Sequence, residues 1–352
     1  MDRAGRWFLH SGIREPSGGV ARYYSTDTKA NCPISTEITG YTVSTLVRLA
    51  RLSASREYMD AALESARFLT RRAWDRRLAA FPFEYSDGAA APAPAYFFDC
   101  GIIVRGLLAV SAATVESEFL EIAREAGLAM ARDFRGVDAI HPILSLQDKR
   151  PLAYGEGWSR NPGCYQLKSA MAWRDLADAT GEAQFAGWYE EALAQALATH
   201  ESFLPGPAGE DKVMDRLHAY CYFLEGLLPV AGRPECARVL EAGIARTGRH
   251  LRAIAPTFAR SDVYAQLLRL RLYAVGIVPL EEDAAEEEAQ ALAEFQCTHE
   301  DPRIHGGFGF GRRGGAMLPF VNPVSTAFGI QALEMWRAWR AGVFEPAVAS
   351  LI

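Results

Sequence analysis

Residues 46–69 read LVRLARLSASREYMDAALESARFL, and this stretch carries the pattern that predicts the fold. Apolar residues recur at helical spacing on both sides of a short serine-rich break from Ser53 to Ser55. Such spacing is typical of amphipathic helices, and a break of small and polar residues between two of them indicates a turn. The stretch therefore predicts a helical hairpin.

The same hairpin pattern recurs along the chain, clearly at 173–198 and 224–251 and more loosely at 107–131 and 270–295. A last copy, at 332–352, is cut short by the end of the sequence. The first helices of these pairs are poorer in charge than the second ones, so they are expected to be buried all round. Their predicted starts lie near Thr36, Phe98, Tyr165, Asp215, Asp262 and Ser325.

Six hairpins with apolar first helices predict an all-α fold, an (α/α)6 toroid in one domain over 1–352. In such a fold the first helices form an inner ring, the second helices form an outer ring, and short β-like pieces connect the hairpins. The alternative is a solenoid of the TPR or HEAT type, although those repeats are shorter and more regular than the spacings of about 47 to 66 residues found here.

The composition excludes several classes of protein. Hydrophobic residues make up 49% and charged residues 23% of the 352 residues, which is ordinary for a globular protein and excludes disorder of the whole chain. The net charge of −6 leaves no basic footprint, so no nucleic-acid partner is predicted. Six single cysteines without a CxxC pair fit a reducing cytoplasm, and neither a leader nor a membrane-spanning stretch is predicted.

Three connections between hairpins share one plan. Each has a short aromatic, strand-like piece, a turn, a proline-containing segment and then the start of a first helix. These connections occupy 18–40, 78–101 and 306–329.

The first and the last connections also share a run of proline, a β-branched residue, serine and threonine. Serine and threonine at this position favour helix initiation as N-caps. Glu37 in the first copy is replaced by Ala327 in the last, so the repeat itself does not require a glutamate there. The predicted N-caps are Ser35 or Thr36 in the first copy and Ser325 or Thr326 in the last.

The hairpin pattern over nearly the whole chain, clearest at 35–69, resembles the six-hairpin toroids that act on carbohydrates. These include the N-acylglucosamine 2-epimerase type, the toroid domain of glucuronyl C5-epimerases, unsaturated uronyl hydrolases and toroid proteins of bacterial polysaccharide biosynthesis. The closing segments GGFGF, at 306–310, and NPVSTAFGIQALEMW, at 322–336, also look like repeats of the squalene and terpenoid cyclase toroids. The resemblance implies a toroid fold and a carbohydrate ligand.

Two departures narrow this resemblance. The acidic DxDD motif of class II terpenoid cyclases is absent from the sequence, which argues against a cyclase. No cysteine is adjacent to a histidine, so the zinc site of lanthionine-forming toroids is not expected, and the seven histidines are scattered singly. No metal and no other cofactor is predicted.

In a toroid the first helices begin at the end where the connections lie, so polar residues there are expected to converge on a central funnel. Glycoside chemistry needs two carboxyl groups with separated pKa values, and the same pair can remove and return a proton at a sugar carbon. We expect Glu37 and at least one other carboxyl group to face one cavity, roughly 5 to 10 Å apart. The predicted catalytic residues are Glu37, Asp99, Glu156, Asp215 and His218, and Glu84 and Asp87 belong to the same predicted end.

Each candidate also has a purely structural interpretation. A carboxylate in the first turn, such as Glu37, favours the helix dipole, and Asp99, Asp215 or Asp262 could cap a helix. Glu156 lies in a glycine-rich loop and could serve the loop itself, whereas His218 could be a hydrogen-bonded core histidine.

Aromatic rings can stack on the apolar faces of sugars, whereas carboxylate, arginine and asparagine side chains can bind hydroxyl and acidic groups. Arg105, Arg160, Arg216, Arg260 and Arg312 suggest a ligand with a carboxylate, unless each pairs with a neighbouring aspartate. The predicted substrate-binding residues are Tyr24, Tyr41, Tyr85, Tyr96, Arg105, Trp158, Arg160, Tyr165, Tyr220, Asp262, Tyr264, His305, Phe308 and Asn322.

These features predict a cytoplasmic, carbohydrate-active protein that processes an acidic sugar or an exopolysaccharide by acid/base catalysis, as a hydrolase, lyase or epimerase. One alternative is a non-catalytic glycan-binding or scaffold protein of a polysaccharide biosynthesis system. The other alternative is a terpenoid-cyclase-like enzyme. The expected partners are a saccharide or polysaccharide ligand and other polysaccharide-assembly proteins.

Overall fold

The computed structural model describes residues 2–86, 88, 94–205 and 212–352, and within them the chain forms twelve α-helices. These helices are α1 Asp2–His10, α2 Thr36–Ser53, α3 Arg56–Phe68, α4 Phe97–Ser111, α5 Ser117–Ala129, α6 Leu167–Thr180, α7 Ala183–Phe203, α8 Val213–Leu227, α9 Pro234–Ile254, α10 Ser261–Tyr273, α11 Glu282–Ala293 and α12 Pro323–Arg340. The first helices of the hairpins, α2, α4, α6, α8, α10 and α12, begin within two residues of their predicted starts, which confirms those starts. In the described part of the chain, no helix is both long enough and apolar enough to cross a membrane.

The breaks between paired helices fall where the sequence placed them. The helices α2 and α3 form the hairpin predicted at 46–69, and Ala54 ends α2 in the left-handed backbone region with a φ of 53°. Gly181 ends α6 in the same region with a φ of 75°, which glycine adopts without a steric cost.

The two helices of a hairpin differ in burial as their charge patterns predict. In α4 every residue except Ala109 and Ser111 is buried. In its partner α5 the buried residues recur every three or four positions, as at Phe119, Ile122 and Ala126, so this helix buries one face only. The first helices therefore form the core, and the second helices cover it.

The backbone contacts divide the chain into two compact units, and each unit is built from separate segments. Unit I consists of Gly12–Arg22 and Asn31–Thr199 and holds α2 to α6 with most of α7. Unit II consists of Met1–Ser11, Tyr23–Ala30 and His200–Ile352 and holds α1 and α8 to α12. The single domain over 1–352 stays a prediction.

In unit I the first helices approach one another at glycines. The helix α2 packs against α4, and α4 packs against α6. A Cβ atom on Gly106 would lie 2.6 Å from the carbonyl oxygen of Gly40, and a Cβ atom on Gly101 would lie 2.5 Å from that of Ser169. Hydrogen in place of a side chain therefore allows these backbones to come into contact.

In unit II α8 packs against α10, and α10 packs against α12. The sequence predicts that the last hairpin is cut short, but the structure shows that α12 contacts both α11 and the amino-terminal helix α1. The indole of Trp7 in α1 donates a hydrogen bond of 2.8 Å to the carbonyl oxygen of Arg303. The helix α12, which is the first helix of the last hairpin, therefore packs against a helix from the opposite end of the sequence.

Short strands form in the connections between hairpins, as predicted. Within the described residues these strands are β1 Val20–Ala21, β2 Tyr24–Ser25, β3 Ala30–Asn31, β4 Ile34–Ser35, β5 Glu84–Tyr85, β6 Ala95–Tyr96, β7 Ile143–Leu144, β8 Phe258–Arg260, β9 Gly311–Arg313, β10 Ala316–Met317 and β11 Phe320–Val321. All pairings are antiparallel: β4 lies between β1 and β5, β9 lies between β8 and β10, β6 pairs with β7, and β11 pairs with β2.

Candidate active site

Glu37 is the second residue of α2, and the start of this helix is held by its own N-cap and by one neighbouring segment. The hydroxyl of Ser35 accepts a hydrogen bond of 3.3 Å from the backbone N–H of Ile38, so Ser35 is the N-cap. The hydroxyl of Thr36 donates a 2.6 Å hydrogen bond to the carbonyl oxygen of Pro82. Glu37 therefore extends from a helix end whose position is fixed on both sides.

Asp99 lies in the first turn of α4, directly after the strand β6. The backbone N–H of Phe97 donates a hydrogen bond of 3.0 Å to the carbonyl oxygen of Pro142, which anchors this helix end. Asp99 is 5% exposed, and its buried Oδ2 has no hydrogen-bond partner among the described residues. An unpaired buried carboxylate is costly, so this environment favours the protonated acid.

The sheet formed by β1, β4 and β5 brings a cation to the same place. Arg22 follows β1, and its backbone N–H donates a 3.0 Å hydrogen bond to the carbonyl oxygen of Pro33. Its guanidinium forms an ion pair with Glu84 of β5 and lies over the ring of Phe83, 4.8 Å from the ring centroid. Arg22, Glu37 and Glu84 are thus positioned by one small sheet.

The two carboxyl groups influence each other electrostatically. Burial raises the pKa of the half-buried Glu37 from 4.5 to about 7, and the attraction of Arg22 offsets part of this rise. Burial also raises the pKa of Asp99 well above its usual range, the Glu37 carboxylate raises it further, and Arg22 opposes both effects. Both carboxyl groups therefore favour the protonated form more than free carboxyl groups do, and Glu37, with its pKa of about 7, is close to the midpoint of its titration near neutral pH.

Aromatic rings lie near Asp99. The ring of Tyr96 lies 5.0 Å from that of Phe83, and the ring of Tyr165 lies 6.2 Å from that of Phe98 and 4.9 Å from that of Trp158. Burial raises the pKa of Tyr96 and of Tyr165, and the Asp99 carboxylate contributes to both rises.

Arg160 belongs to the same group of residues, because its positive charge lowers the pKa of Tyr96. The structure therefore brings Glu37, Asp99, Tyr96, Trp158, Arg160 and Tyr165 together in unit I, and all six are residues that the sequence singled out. It also adds Arg22 and Phe83, which the sequence did not indicate.

The remaining predicted residues of unit I occupy other surroundings. Glu156 is exposed in a loop whose carbonyl groups are bound by the side chain of Asn161. Tyr41 is 2% exposed within α2, and Tyr85 packs against Phe68 with ring centroids 5.0 Å apart. Arg105, also buried, donates a 2.7 Å hydrogen bond to Asp175. Asp87 lies outside the described residues.

A second polar cluster, in unit II, contains the predicted His218, Asp215 and Asp262. Nδ1 of His218 lies 2.8 Å from Oε1 of Gln266 and 3.5 Å from Oδ2 of Asp262. Arg260 donates hydrogen bonds of 3.0 and 2.6 Å to the two oxygens of Asp262 and one of 2.6 Å to Asp215. Asp215 and Asp262 therefore lie in the first turns of α8 and α10, and both accept hydrogen bonds from Arg260. The expected caps at Asp215 and Asp262 are not present, because α8 and α10 begin before them.

Electrostatics fix the charges in this second cluster. Burial lowers the pKa of His218 to about 4, although Asp262 partly opposes this, so the imidazole is neutral at pH 7. Burial alone would raise the pKa of Asp262, but Arg260 and His218 bring it below its usual value. The cluster can hold a neutral base beside a closed ion pair.

Most of the other predicted ligand contacts in unit II are buried in contacts within the protein. Tyr24 is 2% exposed beneath Arg303, Phe308 is 1% exposed against Gly329, and Tyr220 is 1% exposed with its hydroxyl 3.4 Å from Nδ1 of His200. The half-buried Tyr264 lies near Phe295, with ring centroids 6.2 Å apart, and the half-buried His305 accepts a 3.3 Å hydrogen bond from the backbone N–H of His299.

Asn322 is the N-cap of α12, because its side chain accepts a 3.0 Å hydrogen bond from the backbone N–H of Ser325. The prediction of Ser325 or Thr326 as the cap is therefore wrong. Thr326 instead accepts a 2.9 Å hydrogen bond from the backbone N–H of Phe308 and donates one of 2.8 Å to the carbonyl oxygen of Asn322.

Within the described ranges, no group of three or more histidine, cysteine, aspartate or glutamate side chains is arranged to hold a metal ion. The prediction that neither a metal nor another cofactor is needed stays a prediction. The arrangement in unit I is suited to proton transfer, since two neighbouring carboxyl groups both have raised pKa values.

No protein-family model and no curated protein matches the chain. Solved structures do match it over almost its whole length. The cellobiose 2-epimerase of Spirochaeta thermophila is 16% identical with a TM-score of 0.71, and the match covers 96% of this chain and 95% of that one. A D-mannose isomerase is 10% identical with a TM-score of 0.67 and 96% of each chain covered.

The unsaturated glucuronyl hydrolase of Bacillus sp. GL1 is 14% identical with a TM-score of 0.65, and 97% of each chain is covered. Identities this low establish the fold alone. The resemblance predicted from the hairpins is thereby confirmed for the fold, and the solenoid alternative is excluded. The chain has the (α/α)6 toroid fold.

Proposed function

We propose that this protein binds a saccharide and processes it by acid/base catalysis at the Glu37 and Asp99 carboxyl groups. The observation that carries the proposal is that burial raises the pKa of both groups and that the Glu37 carboxylate raises the pKa of Asp99 further, near aromatic rings in unit I. Pairs of acids whose surroundings separate their protonation states are typical of active sites. The shared fold adds support, since the matched structures are named as a sugar epimerase, a sugar isomerase and a glucuronyl hydrolase.

The two carboxyl groups have different roles in this proposal. Asp99, whose surroundings favour the protonated acid, serves as the general acid, whereas Glu37 accepts a proton as the general base. Arg22 stabilises the ionised form of either group. Tyr96, Trp158 and Tyr165 offer ring faces and edges against which a sugar can pack.

The class of reaction depends on which saccharide binds between this acid and this base. Removal and return of a proton at a carbon atom gives epimerisation or isomerisation, elimination gives a lyase, and activation of water gives hydrolysis. His218 is retained as a second candidate base, since its imidazole is neutral and close to Asp262. A cytoplasmic location and partnership with polysaccharide-assembly proteins stay predictions.

Four of the five arginines from which a charged ligand was predicted, all except Arg160, have partners within the protein. Arg105 is bound to Asp175, Arg216 to the carbonyl oxygen of Phe203, Arg260 to Asp215 and Asp262, and Arg312 to Glu294. These guanidinium groups already have partners within the protein. An acidic sugar is therefore one member of the proposed substrate class rather than its defining member.

Isotope incorporation tests the function and separates the reaction classes. Neutral saccharides and uronates would be incubated with the enzyme in D2O and, separately, in H2 18O, and the products analysed by mass spectrometry and NMR. Deuterium on a sugar carbon identifies an epimerase or isomerase, 18O in the product identifies a hydrolase, and a new carbon–carbon double bond identifies a lyase. Absence of binding and of turnover across the panel would overturn the proposal.

Two isosteric variants test the roles of the carboxyl groups. We expect Glu37→Gln and Asp99→Asn each to reduce turnover by about 10²- to 10⁴-fold, the usual contribution of a positioned acid or base. Asp60→Asn is the matched control, because the Asp60 side chain is 61% exposed in α3. Turnover that survives in both active-site variants would remove these groups from the mechanism.

A further inference from the structure

Arg22 is the cation that acts on both carboxyl groups of the proposed site, and it already has an anionic partner. Its ion pair with Glu84 leaves the two side chains 35% and 32% exposed, so a ligand can reach both. The Arg22 guanidinium also lies over the ring of Phe83, and its buried Nε has no hydrogen-bond partner among the described residues. The ion pair and the ring fix the guanidinium beside the site without using all of its donors.

The strand register places Glu84 opposite the residue that caps α2. Ser35 of β4 is opposite Glu84 of β5 on one side and Val20 of β1 on the other. Arg22 follows β1 by one residue, and Glu37 follows β4 by two. The contact between Arg22 and Glu84 is therefore set by backbone pairing and does not depend on the chance meeting of two long side chains.

We propose that Glu84 is a specificity-determining residue, which makes the site select uncharged sugars because its carboxylate occupies the guanidinium that would otherwise bind a ligand's carboxylate. This inference rests on the proposed function, since it concerns the sugar bound beside Glu37 and Asp99. It narrows the substrate class from saccharides in general to those without a carboxylate at the position facing Arg22.

The charges around the site support this choice. A uronate carboxylate placed near Arg22 would meet Glu84, Glu37 and the partly exposed face of a guanidinium that already pairs with Glu84. Like charges at short range disfavour binding, whereas the hydroxyl groups of a neutral sugar carry no such cost.

The test compares matched pairs of sugars that differ only in the acid group. Glucose with glucuronate, mannose with mannuronate, and cellobiose with cellobiouronic acid would be titrated by calorimetry against the wild-type protein and Glu84→Gln. We expect the wild type to prefer the neutral member of the pair that binds. We expect Glu84→Gln to raise the ratio of uronate affinity to neutral-sugar affinity by about twofold to fivefold, the range for one ion pair near the surface.

Two further variants show whether Arg22 is the receiving group. The double variant Arg22→Gln/Glu84→Gln should return the affinity ratio to that of the wild type. Glu84→Gln alone frees the Arg22 guanidinium, and Arg22→Gln removes it. Glu116→Gln is the matched control, since its ion pair with Arg67 has exposures of 31% and 41%, similar to those of the Glu84 and Arg22 pair. Helical circular dichroism would confirm that each variant is folded.

The outcomes separate this inference from the proposed function. If sugars bind but Glu84→Gln leaves the ratio unchanged, or the double variant keeps a raised ratio, the role assigned to Glu84 is wrong and the proposed function stands. A wild type that prefers the uronate also overturns the inference alone. If no sugar of any pair binds to any variant, the proposed function fails and the inference fails with it.

Discussion

Glu37 could be identified as a candidate from the sequence, whereas its neighbours Arg22 and Phe83 could not. The run of proline, a β-branched residue, serine and threonine occurs near both ends of the chain. The first copy carries Glu37 where the last carries Ala327, so the glutamate departs from the shared pattern. Arg22 and Phe83 have no such contrast, because their position follows from strand pairing between segments about sixty residues apart. Register of this kind is not visible in one sequence.

Burial of Glu37 has a consequence for stability that depends on pH. Its pKa is about 7 in the folded protein and near 4.5 otherwise, so the folded state binds more protons between these values. Stability is therefore undiminished below about pH 4.5 and falls as the pH rises through 7. The charge of Glu37 is a penalty for folding at high pH.

We expect Glu37→Gln to be more stable than the wild type at pH 8, by roughly 1 to 3 kcal/mol, and to differ little from it at pH 4. The amide keeps the shape of the side chain and removes the penalty for the buried charge. Urea unfolding at the two pH values measures the difference. An equal difference at both values would show that burial does not govern the ionisation of Glu37.

For individual helices, the sequence predicts which helices form and in what order better than it predicts the residues at which each helix begins. The helices α8 and α10 start one or two residues before the predicted positions, and this shift changes Asp215 and Asp262 from expected caps into first-turn residues that bind Arg260. The cap of α12 moves from Ser325 or Thr326 to Asn322 for the same reason. Helix ends depend on competing side-chain caps that local sequence does not rank.

The contact between α2 and α4 depends on glycine, and its removal should be costly. A Cβ atom at Gly106 would lie 2.6 Å from the carbonyl oxygen of Gly40, so Gly106→Ala forces two buried helices apart. We expect a loss of about 2 kcal/mol or more in the free energy of unfolding, since overpacking of a core typically costs this much. Chemical denaturation of the purified variant measures it.

Gly187→Ala is the control for helix propensity. Gly187 lies within α7, and no atom lies within 4 Å of a Cβ atom added there. This substitution should stabilise the protein by up to about 1 kcal/mol, because alanine is the better helix former. A Gly106→Ala variant as stable as this control would show that the close approach of α2 and α4 is not required.

For the whole molecule, the repeat pattern was sufficient to predict the fold. Six hairpins and the positions of their first helices follow from hydrophobic spacing, and the matched structures confirm the (α/α)6 toroid. The contact of α12 with α1 was not predicted, because nothing in a short amino-terminal helix identifies a neighbour more than three hundred residues away. The two units are likewise invisible in the sequence, since each is assembled from separate segments.

The prediction of one domain can be tested by unfolding. The chain passes between the two units several times, and α7 runs from one into the other, so neither unit is a continuous fragment that can be excised. We expect a single cooperative transition in calorimetry, with equal calorimetric and van't Hoff enthalpies. Two resolved transitions would show that the units are independent domains.

The electrostatic interaction between Glu37 and Asp99 is central to the proposed acid/base chemistry, and carboxyl titration by 13C NMR tests this interaction directly. In the wild type we expect one carboxyl group to titrate at about pH 7 and a second to titrate above the usual range for aspartate. In Glu37→Gln the first titration should be lost and the pKa of Asp99 should fall, because repulsion from Glu37 has been removed. Titration of both groups near their ordinary values of about 4, with Asp99 unmoved in the variant, would contradict the proposed acid and base.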